Sequence, residues 1–258
     1  MRTAEIAHPG FKHDLYSSNL GRFSLSPIYQ AIRDEFDELG VRFVNSDHPF
    51  ASVYAGDRAV CAYKDSDKFE RHLAELEPGD LEGWRRQLAL YKRVAPKFIP
   101  LLRVTIPSSD MMRHLMRLAA SPADAYGLAR ILLQSPRDYA DRNFQSPEMK
   151  GLIAPWGLHS DFGPDVKGGA VAPFFFAFNS QQQGLWVAEG GAGRVSSAMG
   201  SLIEKYGGTV RTSAEVTKIV VRDGTAVGVE THDGDSYSAS RAIIGNLSPH
   251  SLFGRLVA

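Results

Sequence analysis

GGAGRVSSAMGSLIEKYGGTVRTSAEVTKIVVRDGTAVGVETHDGDSYSASRAIIGNLSP, residues 190–249, decides the fold. Its opening glycines, Gly190, Gly191 and Gly193, make a tight turn after the short apolar run 185–188 and lead into an amphipathic helix over 195–205 carrying Met199, Leu202 and Ile203. Gly207 and Gly208 stop that helix. Strand patterns follow at 209–211, 216–222, 226–231 and 236–239, with Asp223-Gly224 and Asp233-Gly234 supplying the positive-φ residues a hairpin turn needs. The stretch therefore predicts a βα unit followed by an antiparallel meander. The apolar run 241–245 reads as one more strand, buried in a parallel sheet.

Toward the N-terminus, Ser26-Pro27 is a capping residue followed by the proline that suits a first helical turn, and Ile28, Ile32, Phe36 and Leu39 then share one face up to Gly40. Strand-like runs at 41–45, 52–55 and 59–63 come next, the last two joined through Gly56-Asp57. From 66 to 149 the pattern is helical and punctuated by prolines. Within it Met111, Met112, Leu115, Met116 and Leu118 suit either core packing, which is expected, or an adaptable apolar surface. Segment 151–184 is rich in Gly, Pro and aromatics. Its Phe174, Phe175, Phe176 and Phe178 are expected to be buried, as a strand, rather than to face a greasy substrate.

Composition narrows the functions. Of 258 residues 43% are hydrophobic and 22% charged, enough to bury a sizeable core, while Lys+Arg and Asp+Glu balance at 29 each. That balance carries no basic footprint for nucleic acid. Cys61 is the single cysteine, so no intrachain disulfide or CxxC motif exists, and a small apolar filler is its expected role. The first residues hold no apolar run of signal-peptide length, and the longest uncharged stretch, 168–188, is not purely apolar; both predict a soluble, cytoplasmic chain without a membrane span, peripheral contact aside. The histidines lack metal-ligand spacing, and His159-Ser160-Asp161 is a consecutive run rather than an assembled triad, so no metal site is expected.

A glycine turn ahead of a helix lets backbone approach a ligand closely and favours an anion at the helix start. Here the pattern does not complete GxGxxG, because Ser196 holds the third glycine position, and the acid farther on, Glu215, lies in a turn; a nicotinamide-binding domain is the weaker alternative. Read as a whole, residues 190–249 resemble the flavin-domain segment of phytoene desaturase-related oxidoreductases of the amine oxidase type: a GGxG turn, a "GG-x-[IV]" strand, an "AEV-x-x-[IV]" strand, a "DG-x-[AV]-x-G-V" hairpin, and Ala242 to Pro249 where the family has a strand close to "AVVSNADP". The segment from His8 to Ser18 is similar to the family's "PGF-x-x-D" stretch. The branch it resembles most is the pyridine nucleotide-disulfide oxidoreductase domain-containing protein 2 group.

The resemblance implies an α/β fold of the FAD/NAD(P)-binding, glutathione reductase-like and amine oxidase-type class, incomplete, with a partial FAD-binding domain over 1–65 and 185–258, a helical substrate-capping subdomain inserted over 66–184, and an antiparallel meander. It implies FAD as cofactor, doubtfully held by this chain, because the family's opening GxGxxG unit would precede Met1 and its closing Gly-Asp segment would follow Ala258. It places Val216 against the adenine through backbone, Gly190, Gly191 and Gly193 against the flavin or substrate, and Asp14, Ser17, Ser18 and Asn246 near the cofactor. The implied activity is hydride removal from a C–C or C–N bond of a small apolar substrate, with no obligatory acid or base and so no assigned catalytic residue. A non-catalytic remnant or protein-interaction module is the rival, and an uncovered sheet edge predicts a homodimer or low solubility.

Overall fold

The computed structural model describes residues 2–56 and 58–257, the side chains of Leu102 and Arg103 aside; Asp57 of the expected hairpin turn lies outside the described residues. The chain divides into two compact units, one running to Ser196 and the other from Ser197 onward. In the first, β1 (Thr3–Glu5) and β2 (Lys12–Asp14) form a hairpin, followed by α1 (Gly21–Ser24), α2 (Pro27–Ala31) and α3 (Arg33–Glu38). Strands β3 (Phe43–Ser46), β4 (Ala51–Tyr54) and β5 (Arg58–Cys61) lead into α4 (Ser66–Leu76), α5 (Pro78–Phe98), α6 (Ser109–Ala119), α7 (Pro122–Leu132), α8 (Pro136–Asn143), α9 (Pro147–Ile153) and α10 (Phe178–Gln183). Strand β6 (Leu185–Ala188) then pairs antiparallel with β3, and α11 (Gly193–Lys205) runs from the first unit into the second.

Ser-Pro dipeptides fix several helix starts. Ser26, Ser135 and Ser146 each accept an N–H of the first turn while Pro27, Pro136 and Pro147 open the helix, and Ser135 with Asp138 completes a reciprocal capping box. The helix expected from Ser26 breaks at Ile32, and the residues it buries are Tyr29 and Phe36, one heptad apart, while Ile28 faces solvent. Tyr29 and Phe36 meet edge to face at 5.8 Å, with Phe23 and Phe43 packed against them in tilted and edge-on contacts.

The core of this unit lies among the helices. Trp84 on α5 is buried between Phe69 and Phe178, with ring centroids 4.8 Å and 4.4 Å away, although Arg85 and Arg86 beside it are exposed. Phe174 and Phe178 are buried as expected but as helix, a π-turn over Pro173–Ala177 running into α10, because their neighbours are helices with no strand edge to join. Buried Asp80 on α5 ties the turn before α9 by accepting the Gln145 and Ser146 N–H groups and the Ser146 hydroxyl. The hairpin of β4 and β5 sits on α9 through a Tyr54 hydroxyl to Glu148 carbonyl bond of 2.6 Å and an Arg58–Glu148 ion pair. Cys61 is half-buried at the end of β5, and burial raises its thiol above the ordinary value, which lowers its reactivity.

Helix α6 departs from expectation: none of its residues is buried, with Met112 52% and Met116 58% exposed. Met111, His114 and Leu118 are half-buried, and nothing described covers the exposed Met112, Leu115 and Met116. The second unit holds the meander: β7 (Val216–Arg222), β8 (Thr225–Thr231) and β9 (Ser236–Ser238) pair antiparallel in that order, ahead of α12 (Pro249–Ser251). Asp223 and Gly224 adopt the positive φ values their turn requires. Two expected strands do not form. Residues 209–211 are irregular, and 241–245 is irregular and exposed, Ile244 by 93%, because no described strand runs beside it to take its N–H and C=O groups. All pairing among the described strands is antiparallel, so the expected parallel sheet is replaced by small antiparallel ones.

One pH dependence follows from the α8 cap. The Lys167 ammonium, then the Ser135 backbone N–H and hydroxyl, hold the Asp138 carboxyl down to about 2. A carboxylate depressed in the folded state stabilises above its unfolded value and loses that contribution as pH falls. The melting temperature is therefore expected to fall between about pH 4 and pH 2 more steeply in the natural chain than in Asp138→Asn. Parallel pH profiles would remove this role from Asp138.

Candidate functional site

Thr3 and Asp14 are directly opposed in the β1–β2 hairpin, so their side chains leave the same face. The Thr3 hydroxyl donates to Asp14 Oδ1 at 2.5 Å. That pair meets the glycine turn: the Ala192 N–H donates to Asp14 Oδ1 at 2.8 Å, and the Gly193 N–H to Thr3 Oγ1 at 2.8 Å. A carboxylate at the start of α11 is where the positive end of the helix dipole stabilises it.

Every N–H from Gly191 to Val195 has an internal acceptor. Gly191 donates to Ala188 O, Arg194 to Gly191 O and Val195 to Ala192 O, with Asp14 and Thr3 serving the two between. The glycines are needed for approach: Gly190 and Gly191 hold φ +78° and +97°, and a Cβ on Gly191 would lie 2.3 Å from Thr3 Cγ2. The anion at this helix start is thus the chain's own Asp14. The turn presents no free donor from Gly191 to Val195 for a flavin or nicotinamide pyrophosphate, and in that respect it does not fit as a phosphate cradle.

The structure brings Asp14, Gly190, Gly191 and Gly193 together and adds Thr3, which sequence reasoning missed; the signal was the Pro9-Gly10 turn, with Gly10 at φ +83°, between two short polar strands. Ser17 and Ser18 are exposed, and the Ser17 hydroxyl reaches only the Asn19 carbonyl at 3.5 Å. Val216 and Asn246 belong to the second unit. Val216 opens β7 opposite Thr231, just before the ladder slips between Val216 and Lys218, and Asn246 stands exposed in the irregular segment.

A second feature of the first unit is an apolar recess of about 460 Å³ between β4 and α9, walled by Phe50, Leu152, Pro155, Trp156, Leu158 and His159. Phe50 and Trp156 meet edge to face at 5.2 Å, and the His159 ring lies against Trp156 and Phe176. His159 is therefore a wall of aromatic contacts, with no triad formed by its chain neighbours. No group of acidic, His or Cys side chains among the described residues could hold a metal ion.

The family described as flavin containing amine oxidoreductase matches residues 14–249. The chain belongs to that family. Among curated proteins it is 21% identical to a subunit of limonene dehydrogenase from Castellaniella defragrans over 96% of this chain and 45% of the relative. It is 24% identical to the neurosporene-forming phytoene desaturase of Cereibacter sphaeroides over 96% of this chain and 48% of that protein. To prolycopene isomerase 1 of an Oncidium hybrid cultivar it is 23% identical, over 96% and 42% respectively. The chain therefore spans about half the length of the curated relatives it matches. A phytoene desaturase-related, flavin-type oxidoreductase lineage is established by these matches, and mixed helix and strand content agrees with it. Among the described residues no helix is long and apolar enough to cross a membrane.

Proposed function

We propose that the protein is an FAD-dependent oxidoreductase of the dehydrogenase or desaturase type acting on a small apolar molecule, with residues 66–184 as the substrate-capping body. The observation that carries the apolar substrate is the recess of about 460 Å³ walled by Phe50, Leu152, Pro155, Trp156 and Leu158, whose size and lining suit a small ligand. The exposed Met112, Leu115 and Met116 side of α6 supports peripheral contact with a lipid phase that supplies such a substrate. A cytoplasmic setting and a homodimer, the latter supported by exposed Ile244 and Phe253, complete the reading. Titration with a conjugated polyene is expected to quench the Trp156 fluorescence, a signal Trp156→Ala abolishes. Quenching that survives this substitution, or none at all, sinks the apolar site.

One observation favours a second reading, a non-catalytic module of the same fold: the N–H groups of residues 191–195 are satisfied within the chain. The visible spectrum after adding FAD and desalting separates the two. A retained flavin band near about 450 nm supports the enzyme, with Val216, Asn246, Ser17 and Ser18 as proposed contacts. A colourless protein assigns the chain, by itself, the non-catalytic role.

A further inference from the structure

The helical body holds a larger recess, of about 610 Å³, and its chemistry is opposite to that of the apolar one. Three helices build it by their own periodicity. Arg86 and Arg93 stand two turns apart on α5, Arg130 faces them from α7, and Arg142 from α8. No Asp or Glu lines it.

Neutralisation of these charges is incomplete. Arg93 is taken by Asp124, at 2.9 Å, an acid that Lys97 also holds at 2.6 Å, so that carboxylate already answers two cations. Both cations keep the Asp124 carboxyl below its ordinary value, Lys97 foremost. Arg86 reaches only the Asn143 amide oxygen, at 3.3 Å. Arg130 lies over the Tyr126 ring at 5.9 Å, and neither it nor Arg142 has an acidic partner among the described residues. Four exposed arginines from three helices thus line one recess, and three of them have no acidic partner among the described residues.

The floor of the recess is polar and ordered. The Tyr139 hydroxyl donates to Gln87 Oε1 at 3.2 Å, Gln87 Nε2 donates to Asn143 Oδ1 at 2.8 Å, and Asn143 Nδ2 donates to the Tyr139 carbonyl at 2.7 Å. Burial keeps the Tyr139 hydroxyl protonated. Gln134, also of the lining, has its side-chain oxygen buried without a hydrogen-bond partner.

We propose that this recess binds a ligand carrying two or more phosphate groups. Guanidinium forks match phosphate oxygens two at a time, and the volume lies in the range of small-molecule sites. The inference is independent of the flavin reading, since no residue is shared with the glycine turn or the apolar recess.

The test uses the full chain at physiological ionic strength. Fructose 1,6-bisphosphate, read by calorimetry, is expected to bind saturably in the natural chain and at least tenfold more weakly in Arg130→Gln/Arg142→Gln. Both arginines are exposed, so the double variant is expected to melt with the natural chain. Arg85→Gln, on the same helix but paired with Glu70 outside the recess, is expected to bind unchanged. Co-sedimentation with cardiolipin vesicles against phosphatidylcholine vesicles identifies the source: binding to cardiolipin vesicles that the double variant loses, without sugar bisphosphate binding, places the phosphates on a lipid headgroup and still supports the site. Absence of both, or binding that the double variant leaves unchanged, overturns it.

Discussion

Gly83→Ala is expected to destabilise the first unit by about 3 kcal/mol or more, although alanine is the better helix former by about 1 kcal/mol. A Cβ at this position of α5 would fall 1.8 Å from the carbonyl oxygen of Asn143 and 3.0 Å from its carbonyl carbon. Those atoms are backbone, so no side-chain rotation relieves the contact; α8 must move away from α5. The movement pulls Asn143 from Gln87 and opens the packing around Tyr139 and Phe144, both buried. Gly200→Ala in α11 is the matched control, because nothing lies within 4 Å of its Cβ, and it is expected to be neutral or to stabilise by up to about 1 kcal/mol. Urea melts followed by near-ultraviolet signal from Trp84 would decide the matter. A Gly83→Ala chain as stable as the natural one would mean that the two helices do not approach this closely.

Local chemistry was legible in the sequence, and what depended on distant partners was not. The meander could be read because Asp223-Gly224 and Asp233-Gly234 carry their turn geometry in the residues themselves, as do the Ser-Pro starts of α2, α8 and α9. By contrast, the apolar run around Ile243 and Ile244 has the composition of a buried parallel strand, but a strand of that kind exists only beside neighbours, and no described strand lies there. The phenylalanines at 174–178 showed the opposite ambiguity: an apolar run this short announces burial without choosing between strand and helix. In α6 the periodicity identified an apolar side without saying what covers it.

The site divides along the same line. The family pattern put Asp14 and the glycines at 190, 191 and 193 each beside the cofactor; in the structure Asp14 instead holds the glycine turn directly and through Thr3, a residue whose only sequence signal was a very short hairpin. The arginine recess left no linear signature at all. Arg86, Arg93, Arg130 and Arg142 lie far apart in sequence, and only the packing of α5, α7 and α8 sets them around one space.

Gly191→Ala tests whether that turn serves the fold or a ligand. The natural φ of +97° is closed to an L side chain at a cost of about 1–2 kcal/mol, and the new Cβ would lie 2.3 Å from Thr3 Cγ2, 2.7 Å from Thr3 Oγ1 and 3.0 Å from Asp14 Oδ1. Strain and overlap together are expected to cost about 2–4 kcal/mol, with early loss of hydrogen-exchange protection at Ala192 and Gly193, whose N–H groups Asp14 and Thr3 hold. Thr3→Ser separates the two contributions. It keeps the hydroxyl that accepts from Gly193 and removes the methyl group responsible for the closest contact, so in the Gly191→Ala background it is expected to recover part of the loss but not the backbone strain. If instead Gly191 is there to admit a flavin, the substitution should leave melting unchanged, show no coupling to Thr3, and lower only the absorbance retained after FAD is added.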